Sequence, residues 1–241
     1  MKMKRIALLL TVFVLALAPL FSYTDSLKVY DTEAWLGLEG AIKSNKDRSV
    51  VDPLYSSFVS SDASSFEKAR AEYLYSRYLV DNGFKDEATA HLEKEKSYLD
   101  SMDTDNDVLY LIAQLDYTSA KTYIKKDYLS TGLENSNLTK KAVKKYPEEA
   151  YFVVTNGWRL IYTPQIAGGS NKNAIKGLEP LLEESDKLSV STLYSLYGAL
   201  ATAHYNRKDY RESNQYLSSA FDIYYGEPPL VELEMNLEKK L

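Results

Sequence analysis

The stretch Tyr197–Ala220, YGALATAHYNRKDYRESNQYLSSA, decides the fold. Tyr197, Leu200, Ala201 and His204 fall three and four residues apart, one stripe of an amphipathic helix. Asp209 and Glu212 open a second helix, whose stripe is Tyr210, Ser213, Leu217, Ala220, Phe221 and Tyr224. A small residue on each stripe, with a large one a turn away, is what two antiparallel helices need at their closest approach. The stretch is one helix–turn–helix unit.

Upstream, the pattern recurs. Ala142, Leu181 and Ala220 stand at a constant interval of 39 residues. In that register Ser213, Leu217 and Ala220 match Ala174, Leu178 and Leu181, and Gly157 takes the place of Ala201 once five residues of loop are allowed for. Gly83, Ala88 and Leu92 give an earlier copy. Ser64 and Glu67 form a capping box before the stripe Ala71, Leu74, Tyr75, Tyr78 and Leu79, and Asn82-Gly83 ends that helix. The next helix opens with Asp86-Glu87-Ala88 and carries Leu92 and Leu99. Sustained two-residue alternation is missing, and no Asn-Gly joins β-branched runs. The predicted class is all-α: antiparallel helix pairs stacked into a superhelical solenoid.

These units resemble the tetratricopeptide repeat (TPR) family. Tyr197, Leu200, Ala201, His204, Ser213, Leu217 and Ala220 match it best; Ala142 followed by Pro147, and Val153-Gly157-Leu160-Ala174, also fit. The resemblance covers residues 64–226. The spacing exceeds the family's usual ~34 residues, and Glu95 and Asn135 stand where Ala is usual. A second resemblance rests on Pro164, Gly168-Gly169-Ser170 and Ala174. It is to the TPR-like component of periplasmic TRAP transporters, many of whose members are lipoproteins.

Residues 1–22 read as a cleavable signal peptide: Lys2, Lys4 and Arg5, then the apolar run Ile6–Ala18, too short for a membrane span of ~20 residues. An uncleaved anchor is the alternative. Residues 23–63 form an N-terminal helical segment around Trp35 and Leu38. Residues 227–241 form a capping helix opened by Pro228-Pro229, with Glu232, Glu234, Glu238, Lys239 and Lys240 giving it a polar face. The chain has no Cys, hence no disulfide, thiolate site or lipidated Cys. The expected location is the periplasm, not as a lipoprotein. A net charge of −5, about −8 after the signal, argues against nucleic acid, and the cluster Lys140, Lys141, Lys144, Lys145 reads as a solvated helix end.

Motifs for catalysis are weak. Asp103–Asp107 lacks the Gly and Glu of an EF-hand, with Val108 and Gln114 in their places; it reads as a turn, Asp107 capping the next helix. His91 and His204 make no metal centre on their own, and no Gly-x-Ser-x-Gly occurs. Asn137-Leu138-Thr139 is a glycosylation sequon. Pro164, Gly168 and Gly169 form either an anion cradle or a long turn. No enzyme activity, cofactor or metal is expected. Tyrosine, at 21 residues, suits a binding face.

The TPR resemblance implies a concave groove built from the first helix of each pair. Its candidates are Arg70, Tyr73, Arg77, Tyr151, Val154, Trp158, Ile161 and Tyr205, with Ser195 and Thr202 beside them. Trp158 is either the groove's centre or ordinary core. The expected function is non-catalytic binding of a protein or peptide. The alternative is a ligand-binding accessory of a TRAP-type transporter, whose partner is the solute-binding component and whose ligand is a hydrophobic small molecule.

Overall fold

A computed structural model describes residues 22–241 except Asp105, Asn106 and Tyr128. The signal peptide assigned to residues 1–22 therefore lies outside the described residues but for Ser22, as do two residues of the Asp103–Asp107 run.

Among the described residues the chain is all-α, without a strand. The helices are α1 (Glu33–Lys43), α2 (Arg48–Val59), α3 (Ser65–Asp81), α4 (Lys85–Ser101), α5 (Asp107–Lys125) and α6 (Ser130–Lys145). They continue as α7 (Ala150–Tyr162), α8 (Asn171–Leu178), α9 (Val190–Asn206), α10 (Tyr210–Phe221) and α11 (Pro228–Leu237). None is long and apolar enough to cross a membrane.

Each odd helix packs on the even helix after it, and the pairs stack in a solenoid-like array. Local chemistry sets the boundaries. Ser64 and Glu67 form both bonds of a capping box at α3. Gly83, at φ 87°, turns the chain into α4. Ser189 and Ser170 accept backbone N–H bonds at the starts of α9 and α8. After Leu178 the chain tightens into 3-10 turns over Glu179–Lys187, interrupted by a kink at Glu184 (φ −120°), and Pro180 has no N–H for an α-helical bond there.

Small and apolar residues of the even helices are buried. Ala88, Leu92 and Glu95; Thr139 and Ala142; Ala174 and Leu178; and Ser213, Leu217 and Ala220 are all buried on even helices, and Leu181 is buried in the segment that follows α8. Ser213 Oγ donates to the Ala201 carbonyl at 2.8 Å, and Asn135 Nδ2 to the Leu115 carbonyl at 3.1 Å. Gly157 lies against Leu178 so closely that an added Cβ would stand 2.8 Å from the leucine methyls.

The segment 23–63 contains a helix pair of its own, α1–α2, packed on α3. Its leading strap crosses to the far end of the array. Asp25 and Asp31 accept from the Ser189 and Val190 amides at the start of α9, and Lys28 donates to the Leu188 carbonyl. Gly226 approaches Ser44, so the first pair meets the turn before α11.

Candidate functional site

The odd helices run side by side, and their inner faces carry side chains in two tiers. Trp35, Arg70, Asp116 and Tyr151 make the first. Lys43, Arg77, Tyr123 and Trp158 make the second, seven or eight residues further along the same helices. Seven residues of α-helix advance about 10 Å.

The first tier is sealed. Arg70 Nε lies 3.3 Å from Asp116 Oδ2, with both side chains buried. The guanidinium stands 5.0 Å from the Trp35 ring centre and 6.0 Å from that of Tyr151, and the Tyr151 hydroxyl donates to Asp116. Burial raises the Asp116 carboxyl above its ordinary range while Arg70 pulls it back. Nearby, Ser191 Oγ donates to buried Glu39 at 2.7 Å. Four helices thus close the floor of the concavity with one buried ion pair.

The second tier is open. Arg77 Nη1 donates to the Tyr73 hydroxyl at 3.0 Å, its guanidinium stands 5.0 Å from the Tyr123 ring centre, and Nη2 lies 4.0 Å from Glu227. Lys43 Nζ reaches Glu227 at 2.7 Å and lies 5.2 Å from the Tyr194 ring centre. Burial alone would raise the Glu227 carboxyl, but Lys43 and Arg77 hold it below its ordinary value. Burial and the bond to Asp81 push the Tyr123 hydroxyl up to about 12. A void of about 20 Å³, room for one water, lies among Lys43, Arg77, Asp81 and Glu227.

Above this network stands an aromatic pair. Trp158 and Tyr162 stack with ring centres 5.5 Å apart and planes 7° from parallel. Trp158 Nε1 donates to Ser195 Oγ at 2.8 Å, which fixes the indole. Tyr162 is 68% exposed, so the pair presents an aromatic rim near the ion network. The void beside Arg77 and Glu227 has room for one water, so this cup is shallow.

The sequence candidates divide across this geometry. Tyr73, Arg77 and Trp158 line the cup, half-buried. Arg70 and Tyr151 belong to the sealed floor. Val154 and Ile161 are buried in the cluster with Ala174, Leu178 and Leu200, on the side of α7 that meets α8 and α9. Tyr205 packs against Tyr210 at 5.7 Å, within the α9–α11 cluster. Thr202 donates to the Gly198 carbonyl of its own helix. The amides of Ala167, Gly168, Gly169 and Ser170 bond the carbonyls of Pro164, Gln165, Pro164 and Leu160. A Cβ on Gly169 would collide with the Thr163 carbonyl at 1.7 Å. That loop spends its donors on itself, so it has the geometry of a turn rather than an anion cradle.

Lys43, Tyr123, Tyr162, Tyr194 and Glu227 were not among the sequence candidates. One signal was available: 70 to 77, 116 to 123 and 151 to 158 repeat one interval, which marks three helices in parallel register. Compared with protein-family models, curated proteins and solved structures, the chain matches none.

Proposed function

We propose that this chain is a non-catalytic, TPR-like binding protein of the periplasm, exported by a signal peptide. It holds a segment of a protein or peptide partner in the cup above Arg77. The observation that carries this reading is the open Trp158–Tyr162 pair over the Lys43–Glu227–Arg77 network. Apolar area with polar tips, backed by a fixed ion network, is the composition of a recognition site. Native mass spectrometry of the protein purified from its own envelope tests it. A retained peptide or protein mass, lost in Trp158→Ala while the fold persists, is the expected result. A folded wild type that carries no such mass overturns it.

One feature favours the second reading, a solute-binding accessory of a TRAP-type transporter. The floor is closed by Arg70, so a chain cannot run through the concavity from end to end. A bound hydrophobic small molecule in the same measurement selects that reading over the first.

A further inference from the structure

Helical spacing divides the side chains of α5 between two sides. Asp116 and Tyr123 face the concavity. Tyr110, Gln114, Tyr117 and Thr118 form a second stripe, turned about a quarter of the circumference or more away. Both α4 and α6 pack on α5, and a cavity of about 420 Å³ opens between the three helices over this stripe. One wall is Lys96, Leu99 and Asp100 of α4; the other is Glu134, Asn137, Leu138 and Lys141 of α6. Spacings of three, four and seven residues put each set on one face of its helix, so three stripes meet at a common volume. That volume falls within the ~300–1,000 Å³ of small-molecule sites, whereas the void under the cup has room for one water.

The floor of the cavity is fixed. Leu99 and Thr118 are buried there. Thr118 Oγ1 donates to the Gln114 carbonyl at 3.0 Å and accepts from Asn135 Nδ2 at 2.8 Å, which holds α6 on α5 at the base. Most wall charges are matched: Lys96 pairs with Asp100, and Glu134 lies 3.5 Å from Lys121. The remaining polar groups are unspent. The side-chain amides of Gln114 and Asn137, the hydroxyls of Tyr110 and Tyr117 and the Lys141 ammonium have no hydrogen-bond or ion-pair partner among the described residues.

Unspent polar groups around two aromatic rings restrict the occupant. A purely apolar molecule would strip water from these groups and return no hydrogen bond. A multiply charged anion would meet one unmatched cation, Lys141, beside the carboxylates of Asp100 and Glu134. A sugar meets both demands: its C–H faces lie on tyrosine rings, and its hydroxyls donate to and accept from amides and phenols. We infer that the cavity between α4, α5 and α6 binds a neutral saccharide of one or two rings, stacked on Tyr110 and Tyr117 and hydrogen-bonded by Gln114 and Asn137. The site lies across α5 from the cup and does not depend on what the cup holds.

Saturation-transfer difference NMR on the purified chain tests this. The probes are glucose, galactose, N-acetylglucosamine, maltose, cellobiose and lactose, with benzoate and adenosine representing other chemistry. Transfer to at least one sugar is expected. Tyr117→Leu and Asn137→Leu should each weaken that sugar's binding about tenfold or more, through loss of a stacking face or of an amide's hydrogen bonds. Asn137 is exposed, so its variant keeps the fold even where Tyr117→Leu loses stability, and circular dichroism checks both. Absence of transfer to every sugar overturns the inference. So does unchanged binding by either folded variant, or transfer to benzoate or adenosine in place of a sugar. Sugar binding that is lost in Trp158→Ala but retained in both cavity variants moves the site to the cup, and overturns the inference as well.

Discussion

At residue scale the oddest position is Glu95. It fills the slot that Ala142, Leu181 and Ala220 occupy in the later units, is fully buried, and has no hydrogen-bond partner among the described residues on either carboxylate oxygen. Burial holds its carboxyl well above the ordinary range, and Asp116 and Glu72 add to the shift. A group protonated more readily in the folded chain stabilises it at low pH, and that contribution fades as pH climbs through the raised value. Glu95→Leu should therefore stabilise the protein by about 1–3 kcal/mol, the scale of an unpaired buried polar group. The gain in melting temperature should be larger at pH 8 than at pH 5; an equal gain at both would mean that Glu95 is not held protonated. Gly157 makes the opposite case. Its Cβ-free surface is what lets α7 and α8 touch, and fully buried Leu178 has nowhere to retreat. Gly157→Ala should cost about 1–3 kcal/mol in denaturant unfolding. Both positions were legible in the sequence, Gly157 as the small residue at a helix crossing and Glu95 as a break in the Ala pattern. Such slots are set by local spacing alone.

At the scale of elements, α3 carries two arginines two turns apart with different fates. The sequence groups Arg70 and Arg77 on one groove, since seven residues bring them to the same face of the helix. What divides them is depth in the array. Arg70 meets Trp35, Asp116 and Tyr151 from three other helices, while Arg77 keeps a quarter of its side chain exposed. Removing one partner of a buried pair leaves the other charge stranded, at about 3–5 kcal/mol. Arg70→Ala should pay that in stability, whereas Arg77→Ala should cost about 1 kcal/mol, its surroundings being wetter. Urea unfolding compares the two, and similar losses would mean that the second tier is as sealed as the first. On α7, helical spacing does place Trp158 and Tyr162 one turn apart. It cannot tell that Val154 and Ile161 turn to the core, because that depends on where α8 and α9 lie.

At the scale of the whole molecule, the array meets itself. The first helix pair touches the turn before α11 through Lys43 and Glu227, residues 184 apart in sequence. No repeat pattern foretells this: periodicity describes neighbours, and a closure contact is set by the accumulated twist of every pair between. The sequence therefore separates segments 23–63 and 227–241 as flanks, and the structure joins them across the mouth of the cup. The Lys43–Glu227 pair keeps 14% and 17% side-chain exposure, less than Arg77 but more than the sealed Arg70–Asp116 pair. Lys43→Met alone leaves Glu227 facing only Arg77, and Glu227→Gln alone leaves two cations together; each should cost about 2–4 kcal/mol. The double variant should cost less than the sum of the singles, because neither charge is then left without the other. The same pair should widen the solution scattering profile if closure depends on it, since losing the contact frees α1 and α2 from α11 while leaving their packing on α3 intact. Additive costs with an unchanged profile would assign closure to the strap instead, through Asp25 and Asp31 on the first amides of α9. Asp31→Asn would then open the array where the Lys43 and Glu227 variants did not.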